Sequence, residues 1–242
     1  MTFKRPDWRE RISLEEIMTL SSQNLRDRAS SAFKLIHETK LVLDNLDIKI
    51  NERTATVVPL VLASMDTAEA IYTLLINHPE EYWVAGLIMQ RTQMEYVLRA
   101  AYFAKAASHK ELMRFRKKGK MPNRGKRAIY IAQVAEDASQ HLGWDKDKLL
   151  KTVLNHQHEL SGVVHGGKEI LGIYTMHDTW GDLTIEWDEL IHHVDNIMVF
   201  VQLALAVTMY ISPLDPETMD KVVRPIYEKA HAYFGDQRSI EA

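Results

Sequence analysis

The sequence contains no cysteine. That excludes structural disulfides, thiolate nucleophiles and thiolate metal ligands, and a reducing cytoplasm is the expected location. HExxH, P-loop, GxGxxG and GxSxG motifs are all lacking, so no motif points to a zinc protease, a nucleotide cradle or a serine hydrolase. Charge of one sign is not in excess. Across 242 residues, 30 Lys and Arg face 33 Asp and Glu, for a net charge of −3, and nothing in that balance draws the whole chain to nucleic acid or membrane. No apolar run reaches the roughly 20 residues that cross a bilayer. The nearest, "IMVFVQLALAVTMYI" from Ile197 to Ile211, is shorter and ends at "SPLDP". It reads as a buried core helix, and no membrane association is expected. "MTFKRPDWRERISLEE" places no apolar stretch behind its basic residues, so a secretory leader is not expected.

What is present is helical periodicity. Ser13 and Glu16 form a capping-box pattern, and apolar residues recur from Leu14 to Leu46, which predicts one long helix or two in line. Further helices are predicted over 54–77, where Pro59 is tolerable only near the start, then over 79–116, 126–141, 145–165, 188–211 and from "SPLDPET" to about Phe234. Gly166 and Gly167 close the fifth as a C-cap signal. Residues 168–187 read as an irregular insertion whose β-branched residues around "TWGD" allow a small hairpin near 170–187. The prediction is an all-α fold, a single helical-bundle domain of about seven helices spanning 1–242.

One stretch departs from the average composition. The loop 114–127, "RFRKKGKMPNRGKR", carries eight basic residues and no acidic one. Arg114, Arg116, Lys117, Lys118, Lys120, Arg124, Lys126 and Arg127 are either a solvated surface or a phosphate-contacting, nucleic-acid-binding one.

Two helices place polar residues where apolar ones would pack better. On a wheel of the third helix with Val84 at zero, Arg91 falls near −20° and Glu95 near +20°, inside a stripe formed by Leu87, Ile88, Leu98 and Tyr102, with Arg99 at its edge. A charge inside a buried stripe is costly unless paired. Arg91 and Glu95, four apart, can pair, but the guanidinium keeps donors for a further acceptor. On the fifth helix Gln157, Ser161 and His165 form an i, i+4, i+8 line along the apolar face, His156 flanks it, and His158 points away. The two sets are expected to meet in one polar pocket. The plain alternative is a satisfied buried network that fixes helix register. Metal is not expected, because His156 and His158 diverge on a helix and no zinc motif accompanies them, despite further donors at His192, His193 and Asp195. No cofactor is expected.

"QRTQMEYVLRAAYF" and "LSGVVHGG" resemble the Arg-x-x-x-Glu helix and the Ser-x-x-x-His-Gly-Gly helix end of an uncharacterised group of all-helical bacterial proteins. That group is similar in outline to HEPN-type domains of toxin and antiphage-defence systems, in which an Arg and a His cleave RNA without metal. HEPN ribonucleases carry that pair within one segment. Here the nearest such spacing is Arg224 to His231, with Pro225 after the arginine. The resemblance implies a cytoplasmic protein acting on RNA or a nucleotide, with Arg91, Glu95 and His165 as catalytic candidates and Arg99, Gln157, Ser161 and His156 as ligand-binding ones. Self-association as a homodimer and a partner encoded nearby are further expectations. The alternative is a non-catalytic binding or assembly module.

Overall fold

The fold was analysed in a computed structural model that describes residues 8–168, 170–171 and 187–235, with the backbone alone at 8–21, 159 and 188. Among the described residues the chain is all-α. The helices are α1 (Trp8–Asp44), α2 (Thr54–Asn77), α3 (Pro79–Ala101), α4 (His109–Lys118), α5 (Ile131–Leu142), α6 (Lys146–Val164), α7 (Trp187–Ile211) and α8 (Pro216–Gly235). A two-stranded antiparallel hairpin, β1 (Asn123–Arg124) with β2 (Arg127–Ala128), turns at Gly125, whose φ of 66° suits glycine. It lies inside the basic loop. The hairpin anticipated near 170–187 falls mostly outside the described residues.

The core is built by α1, α2, α3 and α7, with α8 packed on α1 and the α5–α6 pair packed on α3. The closest pairing is α2 with α3. Gly86 makes it possible, since a Cβ there would meet Ile71 Cγ2 at 3.3 Å. Buried side chains then tie the helices together. Tyr72 donates its hydroxyl to Val194 O at 2.7 Å, and Gln93 Nε2 donates to Ile197 O at 2.9 Å. By length and apolarity, α2 and residues 189–211 of α7 could cross a membrane, and both supply core residues to the bundle.

Local chemistry sets the helix ends. Asp145 accepts from Lys148 N at 3.0 Å and starts α6, while Gly166, with φ 68°, follows its last turn. Asp215 accepts from the backbone N–H groups of Glu217 and Thr218 and starts α8. Two expectations change. Ser13 is not a helix start, because α1 begins at Trp8. The third predicted helix is two. After Ala101 the chain makes a five-residue π-helical turn, Tyr102–Ala106, extends at Ala107, and restarts at Ser108. Ser108 and Glu111 form a reciprocal capping box, satisfying backbone donors that a continuous helix would have paired internally. Arg53 caps the break, donating to Phe103 O at 2.5 Å and Ala107 O at 3.2 Å.

Candidate functional site

The buried face of α3 takes in Val84, Leu87 and Leu98 of the expected stripe, and Tyr102 beyond the helix end is buried too, but the centre of the face is turned by about 100°. Gly86, Leu87, Gln90, Gln93, Met94, Val97, Ala100 and Ala101 are buried, whereas Ile88 is exposed. Small and amide residues form this face because they let helices approach closely, and weighting by apolar residues alone misses them. Arg91, Glu95 and Arg99 therefore sit at the boundary of the core, with side chains 17%, 26% and 32% exposed. Glu95 accepts from Arg91 Nε at 3.3 Å and from Arg99 Nη2 at 2.6 Å. The carboxylate is thus held between two cations of its own helix. Arg91 Nη1 is buried without a partner.

The α6 residues do not complete that ladder. Gln157 and Ser161 are half-buried, and His165 is exposed at the helix end, its backbone N–H donating to Ser161 O at 3.0 Å. Among the described residues no hydrogen bond or ion pair joins Gln157, Ser161 or His165 to Arg91, Glu95 or Arg99.

His156 is the residue that α6 sends inward. It is only 6% exposed. Its Nδ1 lies 2.9 Å from Thr152 O, and a carbonyl only accepts, so Nδ1 carries the proton. Its Nε2 is then a bare lone pair, buried without a partner. Across from it, 6.0 Å between ring centroids and nearly perpendicular, is His193 of α7. His193 Nδ1 is 2.9 Å from Oε1 of the fully buried Gln90, to which it donates. Burial, followed by the proximity of His156 and His192, pushes the His193 imidazole down to about 4, so the ring is neutral at pH 7. These rings line an open cleft between α6 and α7, of about 760 Å3, also lined by Lys148, Lys151, Asn155, Glu189 and Asn196. Among the described residues no group of three or more His, Asp or Glu side chains is placed to hold a metal ion.

The basic segment forms a separate lobe. It runs through the end of α4, where Gly119 at φ 64° terminates the helix, and through the hairpin. All eight of its Lys and Arg residues are exposed. Arg124 is ion-paired, with the buried Asp137, and Arg116 donates to Glu52 O at 3.3 Å. The other cations have no carboxylate partner among the described residues. Phe115 packs its ring on Phe103, 4.4 Å between centroids, which anchors the lobe to the core. Tyr130, just after β2, is 59% exposed.

Sequence reasoning missed two elements of these surfaces. His193 was visible only as half of an "HH" pair, and nothing local reveals that it meets Gln90 and His156 from distant segments. The capping box at Ser108, which defines α4 and so the lobe, was legible as "SHKE". Comparisons with protein-family models, with curated proteins and with solved structures find no match.

Proposed function

We propose that this protein binds single-stranded RNA through the lobe formed by the end of α4 and the β1–β2 hairpin. One observation carries this reading: a single segment, 114–127, with eight exposed cations, of which Arg124 alone has a carboxylate partner among the described residues. A chain of net charge −3 that gathers unneutralised positive charge in one place favours a polyanion there. Tyr130, exposed beside that charge, offers a ring on which a base can stack. The expected setting is a bacterial defence or toxin system, by resemblance to HEPN-type domains.

Metal-independent RNA cleavage is the narrower form of the reading. In it Arg91 would hold phosphate, Glu95 would orient it and His165 would move the proton of a ribose 2′-hydroxyl. The geometry favours the non-catalytic alternative, since Glu95 already holds Arg91 and Arg99 and, among the described residues, no hydrogen bond or ion pair ties His165 to either. EDTA-resistant cleavage lost in His165→Ala would restore the catalytic form.

The test is binding of a single-stranded RNA oligonucleotide to the folded chain at low salt. Replacing Lys117, Lys118, Lys120 and Arg127 together by Gln should weaken binding about tenfold or more. Undetectable binding by the wild type would overturn the proposal, as would equal binding by the variant. Preference for duplex DNA or for anionic vesicles would reassign the lobe.

A further inference from the structure

The α6–α7 cleft contains a polar pair that the bundle leaves incomplete. Each imidazole spends its Nδ1–H on a fixed oxygen: Thr152 O for His156 and Gln90 Oε1 for His193. The remaining ring nitrogen of His156 is buried with no partner, and so is Gln90 Nε2. An unmet buried polar atom costs roughly 1–3 kcal/mol. A network serving only to fix helix register gains nothing by leaving it unmet. The lining of the cleft indicates what would complete the pair. Lys148 and Lys151 bring positive charge, Asn155 and Asn196 bring amide donors, and Glu189 is the one carboxylate among the described lining residues.

We propose that this cleft is a binding site for a phosphate monoester, held between His156 and His193 with Lys148 and Lys151 at its mouth. Binding is coupled to proton uptake. With both Nδ1 protons already committed to oxygens, a second proton on either ring must go to Nε2, turning a bare lone pair into a donor to the ligand. In the empty cleft burial disfavours that proton on His193. The rings are 6.0 Å apart; among the described residues α6 also brings Lys148, Lys151 and His158, and α7 adds His192 against Glu189. From α3 the neutral Gln90 faces the ring, and its neighbour Arg91 is paired with Glu95. Asp195, two residues on, is engaged by Arg28 and Tyr233. A dianion between the rings supplies the missing negative charge and satisfies both donors. The site shares no residue with the basic lobe, so either proposal can fail alone.

Isothermal titration of inorganic phosphate and of a nucleoside 5′-monophosphate into the full chain at pH 7, in two buffers of different ionisation enthalpy, tests it. The expected result is binding whose heat differs between buffers in the sense of proton uptake. Affinity should fall about tenfold or more in His193→Gln and in Lys151→Gln. The second change is on the exposed rim and leaves the fold intact. His231→Ala, on α8, should bind as wild type, and so should the four-residue lobe variant. Stronger binding of a 5′-phosphorylated oligonucleotide than of its 5′-hydroxyl twin would assign the phosphate to an RNA end, and tighter binding of the free monophosphate would assign it to a nucleotide. No binding of any phosphate probe at millimolar concentration would overturn the proposal. Full affinity in both His193→Gln and Lys151→Gln, or a buffer-independent heat, would do the same.

Discussion

Two polar clusters hang from α7 at residues 193 and 195, and two residues apart on a helix means nearly opposite faces. The Asp195 cluster is a charge-paired pin that leaves Arg28 Nη2 buried without a partner. Asp195 Oδ1 accepts from Arg28 Nε at 2.8 Å and from the Tyr233 hydroxyl at 2.6 Å, and Arg28 also donates to Tyr233 O at 2.7 Å while stacking 3.6 Å over the Tyr233 ring. Three helices, α1, α7 and α8, are locked by it, and the Tyr233 phenol is pushed well above its ordinary range by burial and by the Asp195 carboxylate. The His193 cluster has similar burial and also joins three helices, α3, α6 and α7, but it has no ion pair among the described residues. Both Nδ1–H donors are used, the acceptor His156 Nε2 and the donor Gln90 Nε2 are left bare, and the cluster lines the larger α6–α7 cleft. The charge-paired network holds the fold, and the neutral one, beside that cleft, is the one proposed to take a ligand.

Removing the cation from the charge-paired cluster should have the largest effect. Arg28→Ala takes the guanidinium away from Asp195, whose side chain is 11% exposed. The expected loss is about 3–5 kcal/mol in urea denaturation. A variant as stable as wild type would show that the pin carries no weight and would dissolve the contrast.

The neutral cluster should show itself through pH. His193 has a folded value of about 4, below its ordinary 6.5. The unfolded chain therefore takes up the proton first as pH falls. Stability from this residue is fully present above about pH 6.5 and is lost towards pH 4, by up to about 3 kcal/mol. His193→Gln should flatten stability across that window. An unchanged profile in the variant would mean that the ring is solvated. The smallest effect belongs to Arg91→Ala, about 1 kcal/mol or less. Glu95 is part-exposed and keeps Arg99 at 2.6 Å. A loss as large as that of Arg28→Ala would return Arg91 to the core.

Where local chemistry decides, the structure was legible in the sequence. The bounds of α2 match the predicted 54–77, Asp145 and Gly166 bracket α6, and the Arg91–Glu95 pair follows from i, i+4 spacing. The rest depended on contacts between distant segments. The α3 face could not be centred from apolar residues, because Gly86, Gln90, Gln93 and Ala101 are buried by α2 and α7. The break at Ser108 was hidden because apolar residues continue at Leu112 and Phe115 as though one helix ran on. Of the site, His156 was singled out, but its partner is 37 positions away on α7 and bonded to a glutamine on α3.

The reading of unpartnered polarity as ligand-directed is tested most directly at the basic lobe, by RNA affinity as a function of salt. On single-stranded RNA each phosphate neutralised contributes about −0.7 to the slope of log affinity against log salt. Removing Lys117, Lys118, Lys120 and Arg127 should therefore make the slope shallower by up to about 3. A slope identical to that of the wild type would contradict the assignment of this surface to RNA.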